Sequence, residues 1–152
     1  MLPHSRQLLR DSWELAQPAV GRLTRDFYAR LFEIDPDAAR LFTGVEMTAQ
    51  HRKFRDMLHT IVLAVERDDP SALVLTGTTL GRRHEGYGVE ERHYELVGEA
   101  LLEALAHALG AAWTGDVRDA WREAYALLAS LMRRGAAHAA DEQSVRGAAP
   151  KR

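Results

Sequence analysis

The chain has 152 residues, the length of one ordinary domain. Its hydrophobic fraction of 46% and charged fraction of 28% are those of a globular chain, which excludes collagen-like, wholly disordered and disulfide-scaffold classes. Twenty Lys and Arg against 22 Asp and Glu leave a formal charge of −2, so no strong field points to nucleic acid or an anionic membrane. With no cysteine, thiolate catalysis, cysteine-ligated zinc and iron–sulfur clusters are excluded as well. No stretch approaches the ~18 consecutive apolar residues of a membrane span. The start, running into Arg10 and Asp11, lacks the apolar core of a signal peptide, and a cytoplasmic location is expected.

In chain order the apolar period is that of an α-helix almost throughout. Leu8, Leu9 and Trp13 mark a first helix that Pro18 ends or bends, and Leu23, Phe27, Leu31 and Phe32 mark the second. Asp35-Pro36 and Asp69-Pro70 each set a capping carboxylate before a proline suited to a first turn. Between them, Phe54, Met57, Leu58, Ile61, Val62 and Val65 form one stripe. Gly86 and Gly88 precede another, through Tyr94, Val97, Leu101, Leu102, Leu105 and Leu109. Thr114-Gly115-Asp116 caps a last helix carrying Val117, Trp121, Ala124, Leu128, Leu131 and Met132. These signals predict an all-α domain over residues 1–140, with helices near 5–17, 19–34, 36–42, 46–67, 70–85, 90–110 and 115–140. After Ala136 no apolar face remains, so residues 141–152 read as a disordered tail.

A transition-metal site would have to rest on His4, His51, His59, His84, His93, His107 or His138. There is no His-Glu-x-x-His pair for zinc, no glycine-rich phosphate loop and no Gly-x-Ser-x-Gly elbow. Scattered acidic pairs, and the basic pairs Arg82-Arg83 and Arg133-Arg134, fit solvated helix faces.

The informative stretch is Leu80-Gly-Arg-Arg-His84-Glu-Gly-Tyr-Gly-Val89, then His93-Tyr94-Glu-Leu-Val97-Gly98, with Ala120-Trp-x-x-Ala-Tyr125 downstream. Upstream stand Phe27-Tyr28-x-x-Leu31-Phe32 and Leu41-Phe42. Taken in order and at these intervals, the motifs resemble the globin family. They look most like bacterial single-domain globins and the haem domains of flavohaemoglobins, and the likeness covers about residues 5–135. The resemblance implies a globin fold of about seven helices packed around haem b. It implies that His84 is the proximal iron ligand, that Phe42 packs on the porphyrin and that Tyr28 enters the distal pocket. A neutral proximal imidazole leaves the opposite axial position open for a gas. Its second nitrogen needs an acceptor, for which the Leu80 carbonyl one turn earlier is available and Tyr94, by the family comparison, is another. Phe32, Phe54, Met57, Val89 and Val97 would line the pocket, although each fits a plain core position equally well. Arg83 would meet a haem propionate or stay solvated.

Gln50 and His51 compete for the distal face. At about 100° per residue they lie at comparable angles on either side of the Phe54–Val65 stripe. The residue one turn on also overlies the haem: from Gln50 it is Phe54, whereas from His51 it is Arg55, a charge aimed at a porphyrin. Gln50 is the better choice, and the family pattern agrees. Tyr28 and Gln50 then give two hydrogen-bond donors for dioxygen, and high oxygen affinity is expected.

The expected role is reversible binding of dioxygen, with carbon monoxide and nitric oxide as further ligands. Nitric oxide dioxygenation is the enzymatic alternative, because flavohaemoglobins carry a similar Tyr/Gln pair. It would need a separate reductase, since the sequence shows no flavin domain. Against it, the glutamate that joins the proximal histidine–tyrosine pair in flavohaemoglobins is matched here by Ala136. A haem-based sensor is a third class, and His51 or Gln50 swinging onto the iron would favour it. No nucleic-acid or membrane partner is expected.

Overall fold

The computed structural model describes residues 1–148. Six α-helices follow in order: α1 (Pro3–Ala16), α2 (Val20–Ile34), α3 (Met47–Glu66), α4 (Pro70–Gly86), α5 (Glu91–Leu109) and α6 (Gly115–Ala148). Short 3-10 segments occupy Gln17–Ala19, Pro36–Phe42 and Gly110–Ala112. The helix predicted over 36–42 is therefore a 3-10 element. Asp35 caps it, accepting from the Asp37 amide at 3.2 Å, with Pro36 in the first turn. Asp69 caps α4 in the same way, through the Ala72 amide at 3.0 Å.

The last helix runs on to Ala148, through residues that the sequence pattern assigns to a tail. Ala, Glu, Gln and Arg are good helix formers and need no buried face to continue a helix already nucleated. Arg82 of α4 also pairs with Glu142. Residues 149–152 of the expected tail lie outside the described residues.

One core unites the helices, with Leu9, Leu23 and Leu105 fully buried at its centre. Two buried tryptophans tie α1 to its neighbours. Trp121 Nε1 of α6 donates to Ser12 Oγ at 2.9 Å, and Trp13 Nε1 donates to His59 Nδ1 of α3 at 3.2 Å. The α4–α6 crossing is closer still. A side chain at Gly81 would strike the Met132 backbone, and one at Gly135 would strike the Thr78 backbone. A Cβ at Gly77 would sit 2.6 Å from that of Leu131. Glycine at these three positions lets α4 lie almost backbone to backbone on α6. That contact seats the helix that carries His84.

Candidate functional site

The predicted site residues fall on two walls, one built by α2, the Pro36–Phe42 segment and α3, the other by the end of α4 and the turn after it. On the first wall, Glu46 caps α3 by accepting from Thr48 N at 3.0 Å and Ala49 N at 2.7 Å. The helix start fixed in this way sets Gln50 one turn in, and Gln50 Nε2 donates to the Tyr28 hydroxyl at 3.0 Å. Tyr28 belongs to the buried face of α2, with Leu23, Thr24, Phe27 and Leu31. Burial raises its pKa, so the phenol stays protonated. With its oxygen accepting from Gln50, the Tyr28 O–H remains free to donate to a third group.

Aromatic rings complete this wall. Phe42 stands edge-on to Tyr28 with ring centroids 5.4 Å apart, and Phe32 stands edge-on to Phe42 at 5.4 Å. Phe54 stacks on Phe27 at 4.2 Å and meets Tyr28 edge-on at 5.6 Å. His51 lies parallel to Tyr28, 5.1 Å between centroids. Both competitors for the distal position therefore touch Tyr28, Gln50 through a hydrogen bond and His51 through its ring. Arg55 turns to its neighbour Asp56, at 3.2 Å.

On the second wall, His84 occupies the last turn of α4 and its Nδ1 lies 2.7 Å from the Leu80 carbonyl. A carbonyl only accepts, so the proton of the neutral ring sits on Nδ1 and the Nε2 lone pair is left for a metal. Burial lowers the His84 pKa, which favours this neutral form. The chain then turns sharply: Tyr87 N and Val89 N both bond to the His84 carbonyl, and Gly88 adopts φ +90°. Tyr87 meets the His84 ring at 6.0 Å and is otherwise exposed.

Tyr94 makes no hydrogen bond to His84 among the described residues. Its ring carries the Arg133 guanidinium 4.8 Å from the centroid, and its carbonyl accepts from the Tyr125 hydroxyl. Val89 and Val97 are half-buried, Val97 against the core. Arg83 is exposed and lines a cavity of about 340 Å³ with Met57 of α3 and Leu80 of α4. A half-buried imidazole with an uncommitted Nε2, in a fold that also carries Tyr28 and Gln50 among aromatic rings, is a donor set that suits a haem iron.

A model of the globin family matches residues 25–132. The chain belongs to the globin family. Among curated relatives, this globin is 34% identical over 131 residues to a flavohemoprotein of Chromobacterium violaceum, covering 84% of this chain and 32% of that one. It thus spans about a third of the length of the flavohemoproteins it matches. Zebrafish (Danio rerio) neuroglobin is 31% identical, covering 90% of this chain and 93% of that protein. An anaerobic nitrite reductase of tomato (Solanum lycopersicum) is 31% identical, with 83% and 88% covered. A crystal structure of a hexacoordinated heme protein from an anhydrobiotic tardigrade superposes with TM-score 0.80, covering 89% of this chain and 94% of that one, at 18% identity. The fold is thus the globin fold. No described helix is long and apolar enough to cross a membrane.

Several structural roles in this globin escape the sequence. His59 appears there only as one of seven histidines, and His93 only as one of them and as a motif letter. In the fold, His59 accepts from Trp13, and His93 is 5% exposed and holds the start of α5. Gly98 and Tyr125 are legible as motif letters only. A Cβ at Gly98 would lie 2.5 Å from the Tyr125 ring, so the glycine is the seat on which that ring rests while its hydroxyl reaches Tyr94.

Proposed function

We propose that this globin is of the bacterial type and binds haem b through His84, reversibly taking up dioxygen and other diatomic gases on the opposite side. The observation that carries the reading is the pairing of walls: His84 Nδ1 engaged by Leu80 on one, Gln50 engaged by Tyr28 on the other. Haem supplies the iron at which a gas is coordinated. Everything else is the work of the chain. Leu80 fixes the imidazole tautomer, Phe42 and Phe54 exclude water, and Tyr28, with its hydroxyl oxygen already accepting from Gln50, offers its proton to a polarised ligand. In this reading Val89 and Val97 border the pocket, Tyr94 supports the proximal side through α5, and the exposed Arg83, next to His84, would meet a propionate.

A donor aimed at a charged acceptor is worth ~1.5–3 kcal/mol, which is roughly ten- to a hundred-fold in affinity. High oxygen affinity follows, because dioxygen becomes polarised on binding and carbon monoxide hardly does. The test is the absorption spectrum of the purified chain, ferric, reduced, and reduced under each gas. A five-coordinate reduced form that converts to a long-lived oxygenated one supports the reading. Failure to bind haem after reconstitution would end it.

A second reading is nitric oxide dioxygenation in the cytoplasm with a separate reductase. It is favoured by the 34% identity to a flavohemoprotein. Sustained turnover of nitric oxide with a cellular reductase and reduced nicotinamide would favour this enzyme. Ferric protein accumulating after one turnover would leave the binder.

A further inference from the structure

We propose that Asp35 and His93 form a strut joining the two walls at one corner, fixing the helix that carries Tyr28 relative to the turn that follows His84. Neither residue makes a hydrogen bond to Tyr28, Gln50 or His84 among the described residues, so both are positioning residues. Asp35 is 7% exposed and His93 5%, a carboxylate and an imidazole taken almost wholly out of water. Groups buried in this way are costly unless each polar atom is partnered. Here each is. Asp35 Oδ1 accepts from Asp37 N at 3.2 Å, while Oδ2 lies 2.6 Å from Arg92 Nη1 and 3.5 Å from His93 Nε2.

The tautomer gives the strut its direction. His93 Nδ1 accepts from Glu90 N at 2.7 Å, so the proton of the neutral ring sits on Nε2, facing Asp35. One imidazole thereby holds the backbone at the start of α5 and the carboxylate at the end of α2. From Glu90 the connection to the proximal residue is immediate, because the preceding amide, Val89 N, bonds to the His84 carbonyl at 3.0 Å. At the other end, Asp35 closes α2 about two turns beyond Tyr28. Leu41, the neighbour of Phe42, also comes close to this turn: a side chain at Gly88 would begin 3.5 Å from it. The two walls are joined at one corner, and the buried link in that joint is Asp35–His93.

The strut itself is independent of haem; only its effect on oxygen release rests on the gas-binding reading. The test uses the full chain with His93→Leu, His93→Gln and Asp35→Asn. Three quantities are measured: amide exchange at Val89 and Glu90, the NMR signals of the Tyr28 ring, and the oxygen dissociation rate. His93→Leu removes the Glu90 hydrogen bond and the 3.5 Å contact with Asp35. Asp35→Asn keeps an oxygen for Asp37 N but turns a donor toward Arg92 and His93, so it carries the test where His93→Leu fails to fold. In both variants exchange is expected to speed up about tenfold or more at the two amides, as a local opening becomes easier. The Tyr28 signals should shift, and oxygen release should change about fivefold. His93→Gln, whose carbonyl accepts from Glu90 N while its amide donates to Asp35, should behave as the wild type. Faster exchange at Glu90 with unmoved Tyr28 signals would overturn the strut, as would His93→Gln behaving like His93→Leu. If the wild type binds no haem, the gas-binding reading fails, while the exchange and Tyr28 comparisons still decide the strut.

Discussion

The amide nitrogen of Gln50 donates to the Tyr28 hydroxyl across 3.0 Å, joining α3 to α2 inside the pocket. The bond does more than hold two helices together. It occupies an oxygen lone pair of Tyr28 and so leaves the phenolic proton free for another acceptor. Burial keeps that proton on the oxygen by raising the pKa, so the donor is present at every pH near neutrality.

Tyr28→Phe should therefore speed oxygen release roughly ten- to a hundred-fold, the equivalent of losing one hydrogen bond to a charged acceptor. Carbon monoxide release should change little. Stopped-flow replacement of oxygen by carbon monoxide reads the first rate directly. An oxygen rate within about twofold of wild type would remove Tyr28 from ligand stabilisation.

Gln50 and His51 both touch Tyr28, but in chemically different ways. Gln50→Leu removes a hydrogen bond and frees the tyrosine to turn, so oxygen release should speed up, by less than in Tyr28→Phe. His51→Leu removes a stacked ring and leaves the bond intact, so the oxygen rate should stay within about twofold of wild type. The reverse order of effects would make His51 the distal residue.

Much of the site is legible in the sequence because its chemistry is local. His84 is followed by two glycines and stands one turn after Leu80, which is enough to predict a histidine at a helix end with a backbone acceptor. The sequence prefers Gln50 to His51 because Phe54 and Arg55, one turn on, differ so strongly in what they can face. In the fold both touch Tyr28, one by a hydrogen bond and one by its ring. The strut is illegible because Asp35 and His93 are far apart in sequence, and helical periodicity says nothing of which helix ends meet. Asp35 reads as a cap, and it is one, but its second oxygen has a separate partner. The end of α6 falls later than the apolar pattern places it because a helix needs a buried face to pack, not to continue. The Ala-, Glu- and Arg-containing run from 137 to 148 has propensity enough once the preceding turns are in place.

The lowered pKa of His84 makes a prediction about stability in acid. With the folded value below the ordinary ~6.5, the unfolded chain binds a proton first as pH falls. The haem-free protein should therefore keep its full stability above about pH 6.5 and lose it progressively below, down to the folded value. His84→Leu lacks this contribution, so its urea midpoint should fall less than that of the wild type between about pH 7.5 and pH 5.5. Equal falls in the two proteins would show that burial of His84 is not what acid opposes.

The clasp between α4 and α6 makes the sharpest prediction about fold. In Gly81→Ala the new methyl meets the Met132 backbone, and a backbone cannot rotate away as a flexible side chain does. Overpacking of this kind costs ~1–3 kcal/mol or more, against the few tenths to about 1 kcal/mol by which alanine ordinarily improves an exposed helix over glycine. The clash wins, and α4 has to move off α6. Because His84 lies three residues further along the same helix, displacement should also be read at the proximal site: haem should dissociate faster in Gly81→Ala. Gly86→Ala, where a methyl would meet open space, is the matched control and should leave both stability and haem retention close to wild type. Thermal unfolding and haem transfer to an excess of apomyoglobin measure the two effects. A Gly81→Ala protein as stable as Gly86→Ala would mean that α4 and α6 do not pack backbone to backbone.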